Sequence, residues 1–232
     1  GIVLNTSANP VQKTDFFDAG FLRIQDEAAQ LISCLVDPES TKSILDACAG
    51  AGGKATHLAA ILKNKGRIVA IDRNPERISE LKQETARMGM NIIEAQTIDL
   101  SVDLPDSFKE NFDCVLVDAP CSGLGTLRRN PEIKWRTNEK HLLNFAGAQK
   151  TILQNAFRAV KQGGRLIYCT CSLGPEESEN IMDDFLRRNA DFSLCPPASS
   201  ACQPFIDRRG FFHTYPHKHH MDGFFGAIIK RQ

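Results

Sequence analysis

Short apolar runs rich in Ile and Val recur along this chain, each separated from the next by a longer amphipathic stretch. A strand covered on both faces needs a near-continuous apolar run, and two parallel neighbours need a long crossover between them. The alternation predicts an α/β fold: a doubly wound, mostly parallel sheet with helices on both faces. Strands are expected at 43–48, 67–72, 91–98, 112–118, 165–171, 192–195 and 224–229, a seven-stranded sheet. Helices are expected at 26–36, 54–62, 75–88, 139–160 and 175–189. Pro75 and Pro175 suit first helical turns, and Gly163-Gly164 suits a helix end. Residues 119–137, with two prolines and two glycines, read as a long loop. The domain reading is a lead-in segment, 1–24, followed by one domain, 25–232.

Where such a sheet binds ligands is also constrained. The crevice lies outside the carboxyl ends of the strands. Four expected strands end in polar or reactive residues: Asp46-Ala47-Cys48, Asp72, Asp118 and Thr170-Cys171-Ser172. These should converge. The first leads into Ala49-Gly50-Ala51-Gly52-Gly53-Lys54, where glycines permit a tight turn and close approach of a ligand to backbone. Asp72 follows by about twenty residues, the place of a ribose-binding acid in nucleotide folds. Lys54 is followed by Ala55, so the phosphate-loop ending is missing. An acid at the loop's start, Asp46, suits a cationic ligand such as S-adenosylmethionine better than a phosphate. Plain turn chemistry is the competing account for the glycines, helix capping for Asp72, and a turn for Asp99.

Asp118-Ala119-Pro120-Cys121-Ser122 and Cys169-Thr170-Cys171-Ser172 end strands that can be neighbours. Two thiols and an acid beside a methyl donor suit cytosine chemistry. A thiolate that adds to C6 of the ring pushes electron density to C5, which can then accept a methyl group. An acid answers the charge that builds at N3, and a second thiol can assist release. A helix beginning near Pro175 would favour the thiolate of Cys171. The competing account is two buried structural cysteines, and for Cys169 it is the preferred one.

Lys plus Arg and Asp plus Glu number 28 each, so net charge points to no partner. Arg128, Arg129, Lys134 and Arg136 cluster around Trp135, which either stacks a base or anchors the loop. The eight cysteines contain no CxxC pair, and His213, His217, His219 and His220 lack accompanying acids or cysteines, so no metal is expected. No apolar run has the length of a membrane span, and Gly1 to Ser7 do not read as a signal peptide. The expectation is a reduced, cytoplasmic protein with free thiols. The initial Gly suggests that an N-terminal portion precedes this chain.

Taken together, Gln25 to Leu31, Asp46 to Lys54, Asp118 to Gly123, Thr170-Cys171-Ser172 with Pro175-Glu176-Glu177, and Met221 to Phe225 resemble the NOL1/NOP2/Sun family of RNA 5-methylcytosine methyltransferases, in particular its bacterial small-subunit rRNA members. The resemblance implies a class I, Rossmann-like fold that binds S-adenosylmethionine on Cys48 to Lys54, Asp72, Asp99 and Asp118. It implies Cys171 as nucleophile, Cys121 as the releasing thiol, 16S rRNA as partner, and upstream RNA-binding segments absent from this chain. A monomer is the default. The family loop usually carries a proline where Ala51 stands, and its loss loosens the free loop. Three other readings stay open: the same chemistry on tRNA or DNA, the latter with Cys121 as nucleophile; a non-catalytic module of ribosome assembly; and a dinucleotide-dependent oxidoreductase.

Overall fold

Parallel pairing of five strands, each with its neighbour, builds the frame of the sheet. The computed structural model describes residues 10–197 and 199–232. The first nine residues of the expected lead-in, with the segment read for a signal peptide, lie outside the described residues. Helices α1 (Asp15–Asp18) and α2 (Glu27–Ser33) precede strand β1 (Ser43–Asp46). Then follow α3 (Gly53–Ile61), β2 (Arg67–Asp72), α4 (Pro75–Arg87), β3 (Ile93–Thr97), β4 (Phe112–Asp118), the single turn α5 (Ile133–Arg136) and α6 (Glu139–Ala156). The last part comprises β5 (Val160–Thr170), α7 (Glu179–Arg188), β6 (Phe192–Leu194), β7 (Phe212–Thr214), α8 (Pro216–His219) and β8 (Phe224–Arg231). The order along the sheet is β3-β2-β1-β4-β5-β8-β6, with β7 also paired to β8. Strands β1 to β5 are parallel, and β8 runs antiparallel to β5, β6 and β7.

The sheet has eight strands, not the expected seven. The addition is β7, only three residues long, which shares one edge of β8 with β6: β7 takes Phe224 to Gly226 and β6 takes Ile229 to Arg231. A three-residue strand has no room for a period-two pattern, so its signal was lost among the tail's histidines. A second difference lies at Gly163-Gly164, read as the end of the long helix. Helix α6 stops at Ala156, and both glycines sit inside β5 at the point where its register with β4 shifts. Gly163 has φ +73°, and a Cβ on Gly164 would meet the Lys161 carbonyl at 2.9 Å, so the glycines serve a bulge.

Residue alternation along each strand divides the core in two. Leu45, Val69, Ile71, Val115, Val117, Leu166 and Tyr168 pack with α6 and α7 through Ile152, Leu153, Ile181 and Phe185. Ile44, Ile68, Ala70, Cys114, Leu116 and Ile167 pack with α2, α3 and α4 through Ile32, Leu58 and Leu81. Both faces of the sheet are thus covered, which explains why the strands read as continuous apolar runs rather than alternating ones. Among the described residues no helix is long and apolar enough to cross a membrane.

Candidate active site

Four strands deliver the expected polar residues to one end of the sheet. Asp46 ends β1, Asp72 ends β2, Asp118 ends β4, and Cys171 follows β5 directly. A cavity of about 370 Å³ opens there, lined by Cys48, Gly50, Asp72, Asp99 and Asp118 of the expected residues. Asp46, Ala49, Ala51, Gly52, Gly53 and Lys54 do not line it; they form the loop and first turn behind it. Sequence reasoning missed Arg73, Arg77, Phe145 and Ile152, which complete the walls. Arg73 comes from the turn after β2, and the others from helix faces that only the tertiary fold turns toward the loop.

The glycine loop is held by backbone and carboxylate contacts. Gly50 (φ +54°) donates its N–H to Asp72 Oδ2 at 2.9 Å, and Gly52 (φ +82°) begins α3 from the left-handed region. A Cβ on Gly52 would strike Leu81 at 2.8 Å, so conformation and space both require glycine there. Ala51 stands in place of the family proline, and its carbonyl accepts a bond from Arg23 at 3.1 Å, itself paired with Glu84 at 2.9 Å. Tertiary bonding thus restrains the loop where the proline ring is lost. Asp72 is not the helix cap: Asn74 is, accepting from Glu76 N at 2.8 Å, while Asp72 accepts from Gly50 and Asn74. Asp99 both lines the cavity and makes a turn, accepting from Ser101 N at 2.8 Å; the Ser101 hydroxyl first, then this N–H, lower its pKa.

Beneath this loop lies a buried charge cluster. Lys54 Nζ reaches Asp118 Oδ2 at 2.5 Å and sits 5.3 Å from the Phe224 ring centroid. Burial works against the ammonium, but Asp118 outweighs it and raises the Lys54 pKa, so Lys54 stays charged. The other Asp118 oxygen accepts from the Cys169 thiol at 3.4 Å. Cys169 is fully buried in its strand, as expected, yet it also helps hold the acid. Asp46 is fully buried with neither carboxylate oxygen hydrogen-bonded. Burial first, then the nearby Asp118 charge, push its pKa up to about 7; the Cys48 N–H is the weakest of the influences on it.

Asp46 therefore has a stability signature. Its unfolded pKa is near 4, so as pH rises from 4 to 7 the unfolded chain releases a proton that the folded chain retains, and stability falls. The expected outcome is that Asp46→Asn removes this component, on the order of a few kcal/mol between pH 4 and 8. Urea unfolding at several pH values checks it; an unchanged pH slope in the variant would refute the assignment.

The two cysteine loops meet over the cluster. Cys121 and Cys171 stand with their sulfurs 3.1 Å apart. The hydrogen bond to Cys171 and burial push the Cys121 thiol well up. Behind them lies a polar network that sequence reasoning missed. The buried Glu177 carboxylate accepts from Ser122 N at 2.8 Å, Ser122 Oγ at 2.5 Å and Gln149 Nε2 at 3.0 Å. Tyr168 donates its hydroxyl to the Glu177 carbonyl at 2.9 Å. Gln149 was detectable as an amide on the apolar stripe of α6 with Ala146, Ile152 and Leu153. On the opposite side Gly125 donates to the Cys171 carbonyl at 2.8 Å and accepts from Gly223 N at 2.8 Å. A Cβ on Gly125 would lie 2.0 Å from the Gly223 carbonyl oxygen, so only glycine permits this junction.

Three expectations change. The segment after Cys171 is a single 3₁₀ turn at Pro175–Glu177, and the α-helix begins only at Glu179, too far along to present its end to the thiol. Arg128 and Arg129 do not present free charges to a ligand. Arg129 Nε holds Asp222 at 2.9 Å, and Arg128 bonds Asp26 at 3.1 Å, which ties the loop to α2 and to the start of β8. Trp135 does not anchor the loop: it is 83% exposed. The histidines serve the tail itself, with His213 against Asp207 at 3.3 Å and His219 accepting from Tyr215 N at 2.9 Å.

The described geometry coincides with a known family. The family described as 16S rRNA methyltransferase RsmB/F matches residues 33–230. The chain belongs to the RsmB/F family. It is 37% identical over 223 residues to the Bacillus subtilis protein named probable ribosomal RNA small subunit methyltransferase B, covering 94% of this chain and 50% of that protein. It is 35% identical to the human 28S rRNA (cytosine(4447)-C(5))-methyltransferase, covering 100% of this chain and 30% of that protein. Among solved structures, NSun6 from Pyrococcus horikoshii with SFG superposes with a TM-score of 0.85 at 29% identity, covering 97% of this chain and 56% of that one. The chain spans about half the length of the bacterial relatives it matches. The NOL1/NOP2/Sun resemblance and the Rossmann-like methyltransferase fold are thereby established, and the RsmB/F family uses S-adenosylmethionine.

Proposed function

We propose that this RsmB/F domain transfers a methyl group from S-adenosylmethionine to C5 of a cytosine in RNA, with 16S rRNA or a small-subunit precursor as partner, in the cytoplasm and as a monomer. The observation that carries the reading is the pair of cysteine sulfurs 3.1 Å apart above the Lys54–Asp118 ion pair, beside a cavity reached by four strand ends.

The residues present fit the cofactor. Asp72, Asp99 and Asp118 stand on the cavity wall together with Arg73 and Arg77, which fits a ligand that carries an ammonium, a sulfonium and a carboxylate. Cys48, Gly50, Asp72, Asp99 and Asp118 line the cavity, and Ala49, Ala51, Gly52, Gly53 and Lys54 shape it from behind. When bound, the cofactor supplies an electrophilic methyl group.

The chain's own residues do the rest. Cys171, as thiolate, adds to C6 and forms a sulfur–carbon bond while ring electrons move toward C5. The Lys54–Asp118 pair presents a donor and an acceptor together, so the charge that builds at N3 meets a proton held in place before the reaction. After C5 has been methylated it gives its proton to a water molecule acting as base; the C–H electrons restore the ring double bond and the sulfur–carbon bond breaks, expelling the Cys171 thiolate. Cys121, hydrogen-bonded to Cys171, returns a proton to the departing sulfur and so favours release. Its raised pKa suits a proton holder. The Thr170-Cys171-Ser172 block carries the choice of Cys171 over the DNA-type assignment, in which Cys121 attacks. Glu177, Ser122 and Gln149 fix the loop that carries Cys121.

The test is methyl transfer from labelled cofactor to a 16S rRNA transcript, followed by digestion to nucleosides. The expected product is 5-methylcytidine; label in any other nucleoside would overturn the C5 assignment.

A further inference from the structure

The basic cluster around Trp135 is divided by the fold. Arg128 and Arg129 are engaged by Asp26 and Asp222, whereas Lys134 and Arg136 form no ion pair among the described residues. Lys134 lies 5.6 Å from the Trp135 ring centroid, and that ring is exposed. Next to them, between α5 and the first turns of α6, runs an open groove of about 520 Å³. Ile133 and Phe145 give it apolar walls, Arg136, His141 and Asn144 its polar rim, and Ser122 its inner end.

Two features connect the groove to the reaction. Ser122 adjoins Cys121, and Ile133 packs where a Gly123 Cβ would meet it at 3.0 Å, so the wall rests on the catalytic loop. Phe145 also lines the cofactor cavity, so the two spaces share a wall. The rim chemistry is that of a base edge and a phosphate. The Asn144 amide offers a donor and an acceptor. His141 Nδ1 donates to the Arg136 carbonyl at 2.8 Å, which leaves Nε2 as an acceptor. Arg136 supplies a free guanidinium.

We propose that this groove holds an unstacked nucleoside of the RNA strand next to the target cytosine, with its phosphate on Arg136. The inference rests on the RNA reading above. Single-stranded RNA is recognised by this combination of apolar or aromatic surface, amide edge and unpaired cation, and a target base drawn out of its stack brings its neighbour to the same mouth. The groove thus reads the sequence flanking the modified cytosine.

The experiment measures binding of a 16S rRNA transcript by the intact natural protein and by its Arg136→Ala and Asn144→Trp variants, the second filling the groove. Cofactor affinity by calorimetry reports that each variant is folded. The expected result is RNA affinity weakened about tenfold in each, a salt slope shallower by about one in Arg136→Ala, and cofactor affinity unchanged. Wild-type RNA affinity and salt slope in both variants would overturn the groove assignment. If the wild type then still forms 5-methylcytidine, only the groove falls. A wild type that binds the transcript through the groove but methylates no cytosine would leave the groove standing and remove the catalytic reading. No binding of the transcript by the wild type would remove both.

Discussion

Cys171→Ala is expected to abolish methyl transfer and leave no protein–RNA adduct, while Cys121→Ala is expected to accumulate a covalent adduct with slow turnover. Deleting a covalent nucleophile removes the only low-barrier route, a loss on the order of 10⁴-fold or more. Deleting a proton carrier costs on the order of 10²- to 10⁴-fold, and here the cost falls on release rather than formation. The 3.1 Å contact explains why the two losses differ. With Cys121 as the group that returns a proton to the departing sulfur, its removal strands the bond that Cys171 has made. Denaturing gels of each variant with S-adenosylmethionine and a 16S rRNA transcript read the outcome. The reverse pattern would make Cys121 the nucleophile and place the chemistry with the DNA-type enzymes.

Lys54→Met is expected to lower stability by about 3 kcal/mol near pH 8 and to stop methyl transfer. Its ammonium is the cation that compensates Asp118 and the partnerless Asp46. Breaking a buried pair from one side leaves an uncompensated charge, although the partial exposure of Asp118 trims the figure. The sign with pH follows from the carboxyls. Without Lys54 the folded pKa of Asp46 rises further above the unfolded value near 4, so the fold binds a proton that the unfolded chain does not, and the deficit grows as pH rises. At pH 5 Asp46 is protonated and much of the loss is recovered. Urea midpoints at the two pH values check this. A loss of equal size at both would assign the effect to packing of the Lys54 stem, which lies by Phe224, rather than to charge.

Much of this was readable without coordinates, for identifiable reasons. A doubly buried strand must be apolar throughout, so Ile68 to Ile71 and Cys114 to Val117 announced themselves. Because ligands gather at strand carboxyl ends, Asp46, Asp72, Asp118 and Cys171 were singled out before any distance was known. The eighth strand was not readable, because Phe212–Thr214 is held mainly by pairing with a strand later in the chain and carries no period of its own. Nor was the bulge at Gly163 and Gly164, since a glycine pair marks a helix end and a strand irregularity equally well.

At the site the division runs the same way. Residue type and order along the chain determined the fold class and pointed to the loop and the thiols proposed above for the cofactor and the reaction, because those readings depend on periodicity and on the chemistry each side chain can perform. Only the tertiary structure decided which groups are partnered. It gave Arg129 to Asp222 and, among the described residues, left Arg136 without an ion pair. It buried Asp46 without a hydrogen bond and set Glu177 behind Ser122. It also brought Cys121 and Cys171, fifty residues apart, into contact. Charge state and proton position follow from desolvation and from neighbours within a few ångströms, and in this fold those neighbours come from distant parts of the chain.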